Sequence, residues 1–224
     1  MKHIDERLKS LFPDDKEVGA ERLIVLNDGV FAIAMTLLVL DIRIPPGTQD
    51  FHKGLAILMS RSLYYLITFA VIARYWRFHR RLMYIVKYVD TNFIRLNLLY
   101  LALIAFFPAA MNLVGEYGDN HVEAVIIYVL VLAACGFLGQ GMWFYAFWKC
   151  RLTDIQIDHK TFIYIMIDHL IFPSAICLSL LLLLIPAIQP SSIFWSWLGI
   201  PFLNIMERAI YKRWQIKRTQ SFQE

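Results

Sequence analysis

The chain has 224 residues, 58 % of them hydrophobic, with 16 Phe, 11 Tyr, 6 Trp and a mean hydropathy of +0.53. A soluble domain of this length cannot bury so much apolar surface, whereas a helical bundle in lipid exposes it without penalty. The net charge of +4 is small and spread along the chain in the manner of membrane topology, so no nucleic-acid partner is expected.

Residues 1–21 are mixed in charge and form a segment ahead of the first apolar run. That run, 23–43, reads LIVLNDGVFAIAMTLLVL from Leu23 to Leu40 and holds one charged residue in this stretch, Asp28. At about 1.5 Å of rise per residue it covers most of a ~30 Å hydrocarbon core. A carboxylate there costs roughly 2.5–3.5 kcal/mol on insertion scales and is kept where it meets a partner or an aqueous path. Ile44-Pro45-Pro46-Gly47 ends the run. It lacks a small-residue cleavage site and five further runs follow, so it is expected to stay in the mature protein rather than serve as a signal peptide.

The further runs fall at 54–78, 93–114, 122–148, 161–187 and 192–211, with a tail over 212–224. Gly115 to Asn120 separates the third from the fourth, and Pro186 and Pro190 frame the turn after the fifth. The loops are too short for a soluble domain. The expectation is a single membrane domain over 1–224, all-α, with six transmembrane helices. Lys and Arg number five in 1–22, six in 74–95, three in 149–160 and five in 207–224, which puts 19 of 22 on one side. Only Arg43, Lys53 and Arg61 fall toward the other, so positive-inside logic places both termini in the cytoplasm of a multi-pass cell-membrane protein.

Cys135, Cys150 and Cys177 have no CxxC spacing, and no HxxxH or HExxH pair is present, so neither disulfide nor metal site is expected. Cys150, at the end of the fourth run, is an acylation candidate, an inert thiol being the simpler reading. No nucleophile–base pair stands out, so no enzyme and no cofactor are expected. The halves show no internal repeat: the fourth run has Gly136, Gly139 and Gly141 but nothing like Asn27-Asp28.

Polar residues gather at one depth. Arg74, Trp76 and His79 lie near the cytoplasmic end of the second run, Arg95 and Asn97 near the start of the third, and Asp168 and His169 in the fifth. Those among them that donate hydrogen bonds are able to bond Asp28, and low dielectric strengthens such a network. The same set would serve as plain glue between helices. Beyond Asp28, residues Ile33, Thr36, Leu37 and Leu40 recur at i, i+3, i+4 and i+7 and share a face. Lining an axis, that face would form a narrow apolar constriction with the Thr36 hydroxyl as its polar interruption. Nearly every face of this helix is apolar, so periodicity leaves its pore side open.

These residues carry a resemblance. Arg22-x5-Asp28, then Thr36-Leu37-Leu38-Val39-Leu40 and Asp41-Ile42-Arg43-Ile44-Pro45, resemble the first helix of the lysosomal potassium channel family (transmembrane protein 175 and its prokaryotic relatives). Trp76, His79, Asn97-Leu98-Leu99 and Phe107-Pro108 extend the match into the second and third runs. Where the family has Phe-Ser-Asp this chain has Leu26-Asn27-Asp28, which keeps the aspartate and a small hydrogen-bonding neighbour but loses an aromatic ring.

The resemblance implies a homotetramer in membrane lipid, with the first helix of each copy lining a pore that passes potassium over sodium without a Thr-Val-Gly-Tyr-Gly filter. It implies a constriction at Ile33, Leu37 and Leu40 and a selectivity role for Thr36. Arg22, Asn27, Asp28, Trp76, His79 and Asn97 become the network that holds the pore helix. A proton-coupled secondary transporter relaying through Asp28, Asp168 and His169 is the alternative. Monovalent cations, potassium first, are the expected permeant species.

Overall fold

The computed structural model of the chain describes residues 20–118, 120–148, 152–153, 159–185, 189–190 and 193–197. Helix α1, Glu21–Leu37, continues into a 3-10 turn, Leu38–Asp41. Helices α2 (Phe51–Ile85), α3 (Thr91–Tyr117) and α4 (Val122–Phe147) follow. Helix α5 (His159–Leu178) also runs on as a 3-10 segment, Ser179–Leu184, and α6 is the short Ile193–Trp197. Among the described residues the architecture is all-α, and 5 helices are long and apolar enough to cross a membrane. Of the anticipated sixth span only Ile193–Trp197 belongs to the described residues; the N-terminal segment 1–19, Cys150 and the tail 212–224 lie outside them.

Local chemistry sets the helix starts. Asp50 precedes α2 and accepts from the backbone N–H of His52 at 2.8 Å and of Lys53 at 3.1 Å. Asp90 does the same for α3, accepting from Phe93 N at 2.8 Å, while its second oxygen accepts from the Tyr145 hydroxyl at 2.6 Å and ties this cap to α4. Gly47, at φ 88°, makes the turn after Pro45-Pro46 that reverses the chain between α1 and α2.

Two boundaries differ from the sequence expectation. Helix α2 has 35 residues rather than the anticipated 54–78. At the α-helical rise it measures ~52 Å, longer than a ~30 Å hydrocarbon core, because the basic residues Arg77, Arg80 and Arg81 suit a helix that continues past the apolar layer. Gly115, Glu116 and Tyr117 belong to the last turn of α3 and not to a linker, since Glu116 is held there by arginines of the neighbouring segments.

Helix α3 is the hub. Its Phe93, Tyr100, Ile104 and Phe107 are fully buried, and it packs along α4 on one side and α1 on the other. Helices α4 and α5 approach closely at Gly136, where an added Cβ would lie 2.5 Å from Pro173 Cβ and 3.0 Å from the Tyr75 hydroxyl. Only a residue without a side chain fits between them.

Candidate functional site

Packing decides the rotation of α1. Asn27, Phe31, Ala34 and Leu38 are buried, a stripe at spacings of four, three and four that lies against α2 and α3. Ile33, Thr36, Leu37 and Leu40 project nearly opposite and are exposed, with Ile33 at 59 %, Leu37 at 42 % and Leu40 at 68 %. The four residues singled out from spacing therefore share a face that the single chain leaves uncovered. Gly29, on the same side, has nothing within 4 Å of the place a Cβ would occupy. The Thr36 hydroxyl donates back to the carbonyls of Ile33 at 2.9 Å and Ala32 at 3.1 Å. Its proton is thereby committed to the helix, and its lone pairs are left to face outward as acceptors.

Toward the N-terminal end of α1 the polar residues form two separate connections. Asn97 Nδ2 donates to Asn27 Oδ1 at 2.8 Å, and Asn97 Oδ1 lies 2.8 Å from His79 Nε2. Because Asn97 Oδ1 only accepts, His79 is the donor there and carries its proton on Nε2. All three residues are buried, and the ring of Tyr100 stacks on His79 at 4.9 Å with Phe31 close by. Separately, Trp76 Nε1 donates to Asp28 Oδ1 at 2.8 Å, on the exposed side of α1.

This corrects the expectation of a single network centred on Asp28. The buried polar residue of α1 is Asn27, and Asp28, 100° further round the helix, points away from the core. Arg22 is exposed and has no hydrogen bond to the described residues. Arg74 sits 4.3 Å over the ring of Phe172. His169 Nδ1 pairs with Asp168 at 3.0 Å and lies edge-on to Phe78. Asp168 and His169 do meet Asn27, Asp28 and His79 as walls of one cavity of ≈ 800 Å³.

A second polar cluster, at the C-terminal end of α1, escaped the sequence reading. Asn112 Nδ2 donates to Asp41 Oδ1 at 2.8 Å, and Arg61 Nη1 donates to the Asp41 carbonyl at 3.3 Å. Arg61 also pairs with Glu116 at 3.1 Å, and Arg43 reaches the same carboxylate oxygen at 3.4 Å. The available signal was Arg61 itself, the single charge between Lys53 and Arg74 on α2. Helix α1 is thus tied to its neighbours at both ends by polar bonds, with an apolar, outward-facing stretch between them.

Comparison with known proteins adds the following. The model of the family described as the endosomal/lysosomal potassium channel TMEM175 matches residues 22–108. A potassium channel of Streptomyces collinus is 33 % identical over 143 residues, covering 61 % of this chain and 69 % of that protein. One from Chamaesiphon minutus is 33 % identical over 153 residues, covering 65 % of this chain and 74 % of that one. In fold, the chain is similar to the crystal structure of a lysosomal potassium-selective channel TMEM175 homolog from Chamaesiphon minutus, with a TM-score of 0.61 and 24 % identity over 87 % of this chain and 97 % of that one.

Proposed function

The chain belongs to the family of the endosomal/lysosomal potassium channel TMEM175, and from that premise we propose that it forms a potassium-preferring cation pore for passive flux. The observation that carries the reading is the exposed face of α1, Ile33, Thr36, Leu37 and Leu40, set opposite the stripe that packs on α2 and α3. A single copy gives this face no opposite wall. Four copies around an axis, the assembly the family resemblance implies, would enclose it.

In that arrangement Ile33, Leu37 and Leu40 form stacked apolar rings. Water in so narrow and unpolar a passage is unstable, so an ion must shed hydration with little to replace it, and the rings set the resistance of the closed pore. Thr36 supplies the exception. Its hydroxyl oxygen, with the proton bonded to the helix, offers lone pairs to a partly dehydrated cation, and a cation of lower hydration cost benefits more. The bonds from Asn97 to Asn27, Trp76 to Asp28 and Arg61 to Asp41 hold the rotation of the helix that presents these groups. Both termini are assigned to the cytoplasm on the distribution of Lys and Arg.

Potassium release from liposomes containing the purified protein tests the function. Rapid, non-saturating release with single-channel currents, larger for potassium than for sodium, is the expected result. Saturable flux that requires a proton gradient, with no unitary currents, would replace the channel by a proton-coupled carrier.

A further inference from the structure

Helices end with four carbonyls that lack intrahelical donors, and the partial negative charge there favours a cation. Arg61 brings a cation to this end of α1. Its Nη1 donates at 3.3 Å to the carbonyl of Asp41, the last residue of the 3-10 turn, which also accepts from the Arg43 N–H at 3.0 Å, while Nη2 holds Glu116 of α3. The Arg61 side chain is 12 % exposed, so little water competes for these bonds. Asn112, one turn before Glu116 on α3, takes the Asp41 carboxylate. The final turn of α1 is therefore gripped by two helices through different atoms, its main chain from α2 and its side chain from α3.

The form of that turn matters to the constriction. A 3-10 helix has three residues per turn, so Leu37 and Leu40 eclipse along the axis, whereas an α-helical turn would swing them about 60° apart. Both are exposed on the face assigned to the pore. Resting on that assignment, we propose that Arg61 is a positioning residue for conduction: by holding the Asp41 carbonyl it keeps Leu38–Asp41 in the 3-10 form that stacks the Leu40 ring on the Leu37 ring. The guanidinium is suited to this because one rigid fork reaches two acceptors on different helices, which a point-like ammonium does not.

The test measures how fast a small water-soluble thiol reagent blocks potassium current in planar bilayers. Ile33→Cys, Leu37→Cys and Leu40→Cys are made singly in the full chain with Cys135, Cys150 and Cys177 replaced by Ala. Each is combined with native Arg61, with Arg61→Gln and with Arg61→Lys. Loss of a charge-assisted hydrogen bond at the turn should change the rate at Leu40→Cys by roughly tenfold, with Ile33→Cys altered by less than about twofold. Arg61→Lys, which keeps the charge beside Glu116 and so guards against misfolding, should also shift the Leu40→Cys rate. An unchanged Leu40→Cys rate in a conducting Arg61→Lys or Arg61→Gln channel overturns the positioning role. Absence of block at all three positions with Arg61 intact instead overturns the pore assignment of α1.

Discussion

At the scale of single residues, the neighbours Asn27 and Asp28 divide the work. Asn27 is buried and shares its amide oxygen with Asn97, which in turn accepts from His79, so removing Asn97 leaves two buried groups without their partner. Asn97→Leu should lower stability by about 1–3 kcal/mol, the cost of stranding buried polar groups. Asp28→Ala strands only the Trp76 indole N–H on an exposed side and should cost less. Thermal denaturation of the detergent-solubilised protein ranks the two; the reverse order would place Asp28 at the centre after all. On the opposite face, Ile33→Asn should ease wetting of the proposed constriction and raise potassium flux. Leu38→Asn, buried at 1 %, should instead destabilise the fold. Flux unchanged by Ile33→Asn but raised by Leu38→Asn would mean that the helix faces the pore with its other side. Thr36→Val removes the hydroxyl at nearly constant volume, and reversal potentials should then show a reduced preference for potassium over sodium with assembly intact.

Among the elements, α1 and the α4–α5 pair are held in different ways. Gly136 lets α4 lie directly on Pro173 of α5 and brings the Tyr75 hydroxyl to the Leu132 carbonyl at 2.8 Å. In lipid, close packing of this kind replaces the hydrophobic driving force that water supplies to soluble bundles. A methyl group at position 136 would sit 2.5 Å from a proline ring carbon that has no freedom to turn aside. Gly136→Val should therefore cost about 1–3 kcal/mol, the range typical of overpacking, and lower the yield of folded protein in fluorescence-detected size exclusion. Gly141, with nothing within 4 Å of its Cβ position, is the control and should accept Ala with little change. Helix α1 has no such contact on its exposed face and is held by its buried stripe from Asn27 to Leu38 and by the polar bonds at its two ends.

For the whole molecule, the expected assembly is the one the family resemblance implies, and the uncovered face of α1 is compatible with it. Ile33 and Leu40 are 59 % and 68 % exposed on one chain, and the residues beside them, Gly29 and Val25, leave room for another copy. A homotetramer with α1 at the axis is the expected state, checked by native mass spectrometry in detergent. A monomer or dimer that retains full potassium conductance would place the pore elsewhere.

Class was legible in the sequence for a physical reason: lipid demands long apolar helices, which leave a mark in composition that needs no tertiary knowledge. The expectation that Asp28, Arg74, Trp76, His79, Arg95, Asn97, Asp168 and His169 share one level was legible too, because helical rise converts residue number into distance. Which of them bond was not. Adjacent residues on a helix differ by 100°, and the choice of Asn27 over Asp28 for the core was made by the aromatic packing of Phe31, His79 and Tyr100. Likewise the rotation of α1 could not be read from its apolar pattern, since lipid, protein and a dry pore all accept the same side chains; the buried line from Asn27 to Leu38 decided it. Arg61 counted in the sequence only as a stray charge on the less basic side, and it took the fold to bring it to the Asp41 carbonyl, twenty positions away in the chain.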